Sequence, residues 1–145
     1  PSLELVDLSW TFIENADLLT GIPTVMLRGC AFLKNVESLG ECHEVDLTKC
    51  TNVKDVSALG GVHTLFLTGC YQINDVSTLE HVHVLYLIDC RKVTDIDCLG
   101  DVDALYISDC CKISENCTLT NVRIVGLEVL YKLTRVKQCR LHDGV

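Results

Sequence analysis

Apolar positions recur along this chain on a step of twenty residues. Leu19, Leu39, Leu59, Leu79, Leu99 and Leu119 form one series. Leu27, Leu47, Leu67, Leu87, Ile107 and Leu127 form a second, and Ile13, Leu33, Val53, Ile73, Val93, Ile113 and Leu133 a third. Val36, Val56, Val76 and Ile96 form a fourth, which starts small at Ala16 and is interrupted by Asn116. Ile22, Cys42, Val62, Val82, Val102 and Val122 make a fifth, and Val25, Val45, Leu65, Leu85, Leu105 and Val125 a sixth. Cys30, Cys50, Cys70, Cys90 and Cys110 keep the same step. A fixed period of this length marks a stacked repeat, in which each unit buries its apolar face only against its neighbours.

One unit, residues 71–90, reads YQINDVSTLEHVHVLYLIDC. With Tyr71 as place one, the apolar places are three, six, nine, twelve, fifteen and seventeen, and Cys closes the unit at place twenty. Places fifteen and seventeen alternate with exposed positions, the period of a strand. Places three to twelve are spaced by three, which suits a 3₁₀ or irregular turn better than a helix of period 3.6. The pattern predicts parallel strands near 5–8, 24–28, 44–48, 64–68, 84–88, 104–108 and 124–128, about 4.8 Å apart. Gly40, Gly60 and Gly100 recur at place ten, which implies either positive φ or close stacking there. Glu80 holds that place in one unit, so the requirement is not absolute.

The segment His63 to Ile73, with Leu65, Leu67, Cys70 and Ile73 in the key places, resembles the leucine-rich repeat L-x-x-L-x-L-x-x-N/C-x-L. The resemblance covers nearly the whole chain. Asp55-Val56-Ser57-Ala58-Leu59 and Asp75-Val76-Ser77-Thr78-Leu79 resemble the convex turns of short internalin-type repeats. Cys in place of Asn is similar to the cysteine-containing subfamily known from F-box proteins, and the combined pattern to arrays of protists and their large DNA viruses. The fold so implied is an α/β repeat solenoid, a leucine-rich-repeat horseshoe with a parallel concave sheet and 3₁₀ or irregular convex turns. It forms a single solenoid domain over 1–145 of about seven turns, open to being part of a longer chain.

Composition narrows the function. Hydrophobic residues are 48% of 145, enough for a core. A net charge of -8 argues against a dedicated binder of nucleic acid or of anionic membranes. No window of 18 apolar residues spans a bilayer, and no signal peptide is visible. The chain starts at Pro1 without Met, as a processed, trimmed or excerpted chain would.

Ten cysteines suggest a disulfide scaffold, a metal site or a repeated buried thiol. The resemblance favours the last: it places the periodic Cys just after the strand, turned inward, where it can bond a neighbouring backbone carbonyl. Leu130 at that place in the last full unit fits an apolar site. Ladder side chains run parallel, and five members cannot pair evenly as disulfides. Zinc wants four converging ligands, and the one near pair, Cys110-Cys111, should diverge. Cys42 replaces a core Val, while Cys98 and Cys117 fall on the convex turn. Unpaired thiols point to a reducing compartment, and the sequon Asn116-Cys117-Thr118 has Asn116 at an inward place.

The concave face consists of places fourteen, sixteen and eighteen. Phe66, Tyr86 and Tyr106 should stack as a ridge with Val84 and Ile88 beside it, an arrangement typical of a binding anchor. Met26, Asp46, Phe66, Val84, Tyr86, Ile88 and Tyr106 are the candidate partner-binding residues; the rival reading is cross-strand stabilisation alone. His43, His63 and His83 form a ladder at place thirteen, read as turn histidines repeated with the unit rather than a metal or pH-sensing site. Asp55, Asp75, Asp95 and Glu115, after Asn15 and Asn35, recur at place five and should cap the convex turn. No catalytic motif occurs, and departures from the repeat (Asn116, Cys117, Gly126, Leu130, Cys139) look like decay near a cap. Lys132, Arg135, Lys137, Arg140 and His142 form a basic terminal segment, either a polar cap or an anchor for an acidic partner.

The function expected is a non-enzymatic protein-interaction module that binds a protein through its concave face. No catalytic residue, metal or cofactor is expected, and no nucleic acid or membrane partner; assembly with neighbouring chains or repeats is allowed. One alternative is a scaffold component of a larger assembly such as a virion. Another is the substrate-recognition part of an F-box-like ubiquitin ligase, whose own motif is missing here. The expected location is intracellular and cytoplasmic, or within a virion.

Overall fold

The computed structural model describes residues 3–110 and the strand Arg123–Val125. The expectations for Cys111, Ile113, Glu115, the sequon at Asn116, Leu119, Gly126, Leu127, Leu130, Leu133, Cys139 and the basic segment 132–142 lie outside the described residues.

Seven parallel strands form one sheet in chain order, β1 (Leu5–Asp7), β2 (Thr24–Met26), β3 (Glu44–Asp46), β4 (Thr64–Phe66), β5 (Val84–Ile88), β6 (Ala104–Ser108) and β7 (Arg123–Val125). Five 3₁₀ turns return the chain: η1 (Asp17–Leu19), η2 (Glu37–Leu39), η3 (Ser57–Gly61), η4 (Ser77–Leu79) and η5 (Asp97–Asp101). Among the described residues the α side of the expected class is carried wholly by 3₁₀ turns. A twenty-residue unit leaves too short a return leg for an α-helix. Strand sides match place for place, as in Val45 opposite Leu65 and Asp46 opposite Phe66.

Each turn starts the same way. The carboxylate of Asp55 accepts the N–H of Ser57 at 2.8 Å, Asp75 that of Ser77 at 2.9 Å and Asp95 that of Asp97 at 3.0 Å. Asn15 and Asn35 do this for Asp17 and Glu37. A side-chain acceptor reaching two residues ahead bends the backbone and satisfies an N–H that the short turn leaves over. These bonds hold the carboxyls of Asp55 and Asp75 below their ordinary range.

The core is one continuous stack between sheet and turns. Val45, Leu47, Val53, Leu59 and Val62 of one unit, with their counterparts in the next, are fully buried. A buried side chain of this size contributes about 1.5–3 kcal/mol over leaving it in water.

Two expectations are corrected and a third is decided between its alternatives. β1 to β4 are three residues long rather than four or five. Ladder bonds nevertheless run on beyond them, as Gly29 N–H to Thr48 and Lys49 N–H to Thr68 carbonyls. Second, β7 pairs Ile124, not Val125, with Leu105. In Val122-Arg123-Ile124-Val125-Gly126-Leu127, both alternating registers offer apolar residues, so the pattern could not choose. Of the two readings of glycine at place ten, Gly40 and Gly60 bear out close stacking rather than positive φ. Gly40 has φ -64°, and a Cβ on Gly40 or Gly60 would lie 2.4 or 2.3 Å from the carbonyl oxygen of Ala58 or Thr78 in the next coil. The left-handed residue sits at place nineteen instead: Gly29, Lys49, Gly69, Asp89 and Asp109, with Trp10 in the first coil.

Candidate functional site

Strand alternation turns places fourteen, sixteen and eighteen outward from the sheet, and the in-register parallel pairing piles equal places on one another. Phe66 and Tyr86 consequently stack with centroids 4.4 Å apart and planes 15° from parallel. Tyr86 and Tyr106 follow at 4.1 Å and 4°. Isolated rings prefer an offset or edge-on approach, so this face-to-face pile is imposed by the register. All three are half-buried, since each ring covers its neighbour's face. What remains open to solvent is a row of ring edges and phenol hydroxyls. Burial, then the hydrogen bond with the Tyr106 side chain, raises the Tyr86 phenol above its ordinary range. Val84 and Ile88, at the neighbouring places of β5, are half-buried beside it.

The other two sequence candidates differ from the ridge. Met26 is half-buried on β2. Asp46 is on the concave side but wholly covered, at 0% exposure. One of its oxygens accepts from the Arg28 Nε and the other from the Thr48 N–H at 2.9 Å. The expectation that Asp46 faces a partner is therefore corrected: its charge is spent on Arg28, and Arg28, half-exposed, is the group that shows at that point. A buried carboxylate needs such a counterion, and the Asp46 bond also raises the Arg28 pKa.

The histidine ladder lies along one lip of this face. His43 and His63 stack at 4.6 Å, His63 and His83 at 4.5 Å. His83 Nδ1 meets Asp103 at 2.7 Å and His63 Nδ1 meets Thr64 at 3.1 Å. Nitrogens of stacked rings lie in parallel planes and do not converge on one point. Among the described residues no group of three His, Cys, Asp or Glu is placed to hold a metal.

The five periodic cysteines are built into the core. Cys30, Cys50, Cys70, Cys90 and Cys110 donate their thiols to the carbonyls of Leu8, Leu27, Leu47, Leu67 and Leu87 at 3.0–3.2 Å. All are buried and unbridged. Burial pushes Cys50 and Cys90 up to about 12, and Cys70 well up. Burial keeps Cys50, Cys70 and Cys90 in the thiol form at neutral pH, which makes them poor nucleophiles. An apolar pocket of about 350 Å³ opens on the first coil beside Leu8, Ile13, Ala16, Leu18 and Leu19. Among the described residues no helix is long and apolar enough to cross a membrane.

No protein-family model and no curated protein matches the chain. Among solved structures it is similar to internalin C2 from Listeria monocytogenes, with a TM-score of 0.60 at 20% identity, over 93% of this chain and 69% of that one. The likeness is one of fold.

Proposed function

We propose that this leucine-rich-repeat solenoid is a non-enzymatic protein-interaction module and that its partner docks on the concave face. The observation that carries this reading is the Phe66–Tyr86–Tyr106 pile, three aromatic rings kept partly open to solvent on the concave face. Large amphipathic rings with few rotatable bonds lose little entropy on binding and anchor interfaces. Val84 and Ile88 widen the apolar strip, and Met26 and Arg28 extend the face towards the first coil. Solenoids offer such concave surfaces to macromolecules. The buried thiols and the stacked, non-convergent histidines supply no nucleophile–base pair, which favours binding over catalysis. The reduced state that the thiol ladder favours supports an intracellular setting.

The test is affinity purification from the native source with the wild-type chain and with F66S/Y86S/Y106S. The triple variant should keep its far-ultraviolet circular dichroism and lose a specific partner. A folded triple variant that captures the same proteins at the same level overturns the reading.

A further inference from the structure

The cations of this solenoid are confined to one side, which its net charge of -8 conceals. Residues 3–110 contain six Lys and Arg: Arg28, Lys34, Lys49, Lys54, Arg91 and Lys92. All six lie between the end of a strand and the start of the next 3₁₀ turn. The segments that run from two residues ahead of each 3₁₀ turn to the strand start, 15–24, 35–44, 55–64, 75–84 and 95–104, contain eleven Asp and Glu and no Lys or Arg. Because coils stack in register, one edge of the solenoid carries all six cations, with Glu14, Asp89 and Asp109 among them, and the opposite side carries carboxylates and no cation.

The basic edge is also where the exposed aromatics lie. Trp10, Phe12 and Phe32 are 66%, 82% and 50% exposed, and Tyr71 is exposed as well. They are seated rather than loose. The Trp10 indole lies over Gly29, where a Cβ would come within 2.1 Å of the ring, and Lys49 Nζ stands 5.9 Å from its centroid. Phe12 and Phe32 pack at 5.8 Å, and the Arg91 guanidinium lies 5.6 Å from the Tyr71 ring. Among the described residues Arg28 and Arg91 are paired with carboxylates, whereas no ion pair involves Lys34, Lys49 or Lys54. The segments 28–34 and 49–54 contain no Asp or Glu at all.

We propose that this strand-exit edge is a second docking surface, separate from the concave ridge, and that its occupant is a protein segment of interleaved acidic and apolar side chains. Charge complementarity selects the acidic groups, and the rings between the cations select the apolar ones. A short acidic segment can lie along one edge.

Trp10 is the chain's single tryptophan, so its emission reports on this edge alone. The full chain is titrated with a synthetic peptide in which Glu alternates with Leu and Phe. A peptide with Lys for Glu and vesicles of anionic phospholipid serve as comparison probes. The Glu peptide should shift the emission saturably. Its affinity should fall at least about tenfold in K34E/K49E/K54E, and comparably at high salt. F66S/Y86S/Y106S should bind it unchanged, which separates this proposal from the concave one. K34Q/K49Q/K54Q gives the answer if charge reversal disturbs folding. Equal binding of the Lys peptide, or full affinity in the folded Lys variants, overturns the proposal. So does a response to vesicles without one to the peptide, or an emission shift that tracks self-association of the protein alone.

Discussion

The Cys50 thiol donates to the Leu27 carbonyl of the preceding coil across 3.0 Å. Leu27 is on the strand side of that coil and Cys50 opens the loop of the next, so the bond ties neighbouring units where their ladder gives out. Repeated down the chain, it explains why a small, weakly donating, otherwise apolar side chain suits this place.

Replacing Cys70 by Ala removes the donor to Leu47 and leaves a small void at a fully buried site. The expected loss is about 1–3 kcal/mol in urea denaturation. Cys42 is a useful contrast, since Val62, Val82 and Val102 fill its place in other units. Cys42→Val should change stability by less than about 1 kcal/mol. Equal losses at both sites would remove the case for the thiol bond.

The same ladder predicts an alkaline limit. Burial raises Cys50 and Cys90 from 9.0 to about 12 in the fold, while the unfolded chain releases these protons near 9. A raised folded pKa contributes stability in full below the unfolded value and loses it as pH climbs. Melting temperature should therefore fall between pH 9 and 12, in parallel with the appearance of thiolate absorbance. A flat profile over that window contradicts buried, protonated thiols.

Asp55 and Asp75 work in the opposite sense. Their hydrogen bonds with Ser57 and Ser77 depress the folded pKa below 3.8. That contribution is complete above the unfolded value and is lost as pH drops through the folded one. D55A/D75A should melt earlier at neutral pH. D55N/D75N should melt close to wild type, because Asn15 and Asn35 already fill this role with an amide oxygen. Indistinguishable Ala and Asn variants would show that the turn does not need the acceptor.

Gly60 stacks against the next coil. A Cβ there would lie 2.3 Å from the Thr78 carbonyl oxygen, a backbone atom that cannot swing aside. Gly60→Ala should cost about 1–3 kcal/mol, read as a lower urea midpoint with an unchanged slope. Wild-type stability in this variant would contradict the stacking distance.

The repeat made the fold readable because a twenty-residue step assigns each residue a place and each place a direction. Phe66, Tyr86 and Tyr106 could be stacked on paper for that reason. Asp46 could not be read correctly, since its burial depends on Arg28 reaching over from the neighbouring strand. The left-handed place nineteen was hidden because Lys49, Asp89 and Asp109 occupy it as readily as Gly29 and Gly69. The β7 register was ambiguous because apolar residues flank Ile124 and Val125 in both phases. The basic edge was available in the sequence all along, but only when charges are read by place rather than summed.

Hydroxyl-radical footprinting of the chain alone and in complex with its purified partner tests the central claim most directly. Oxidation of Phe66, Tyr86 and Tyr106 should be suppressed in the complex while Tyr71, on the loop edge, changes far less. Unchanged oxidation of the three ridge residues, with protection confined to other faces, would contradict a concave docking site.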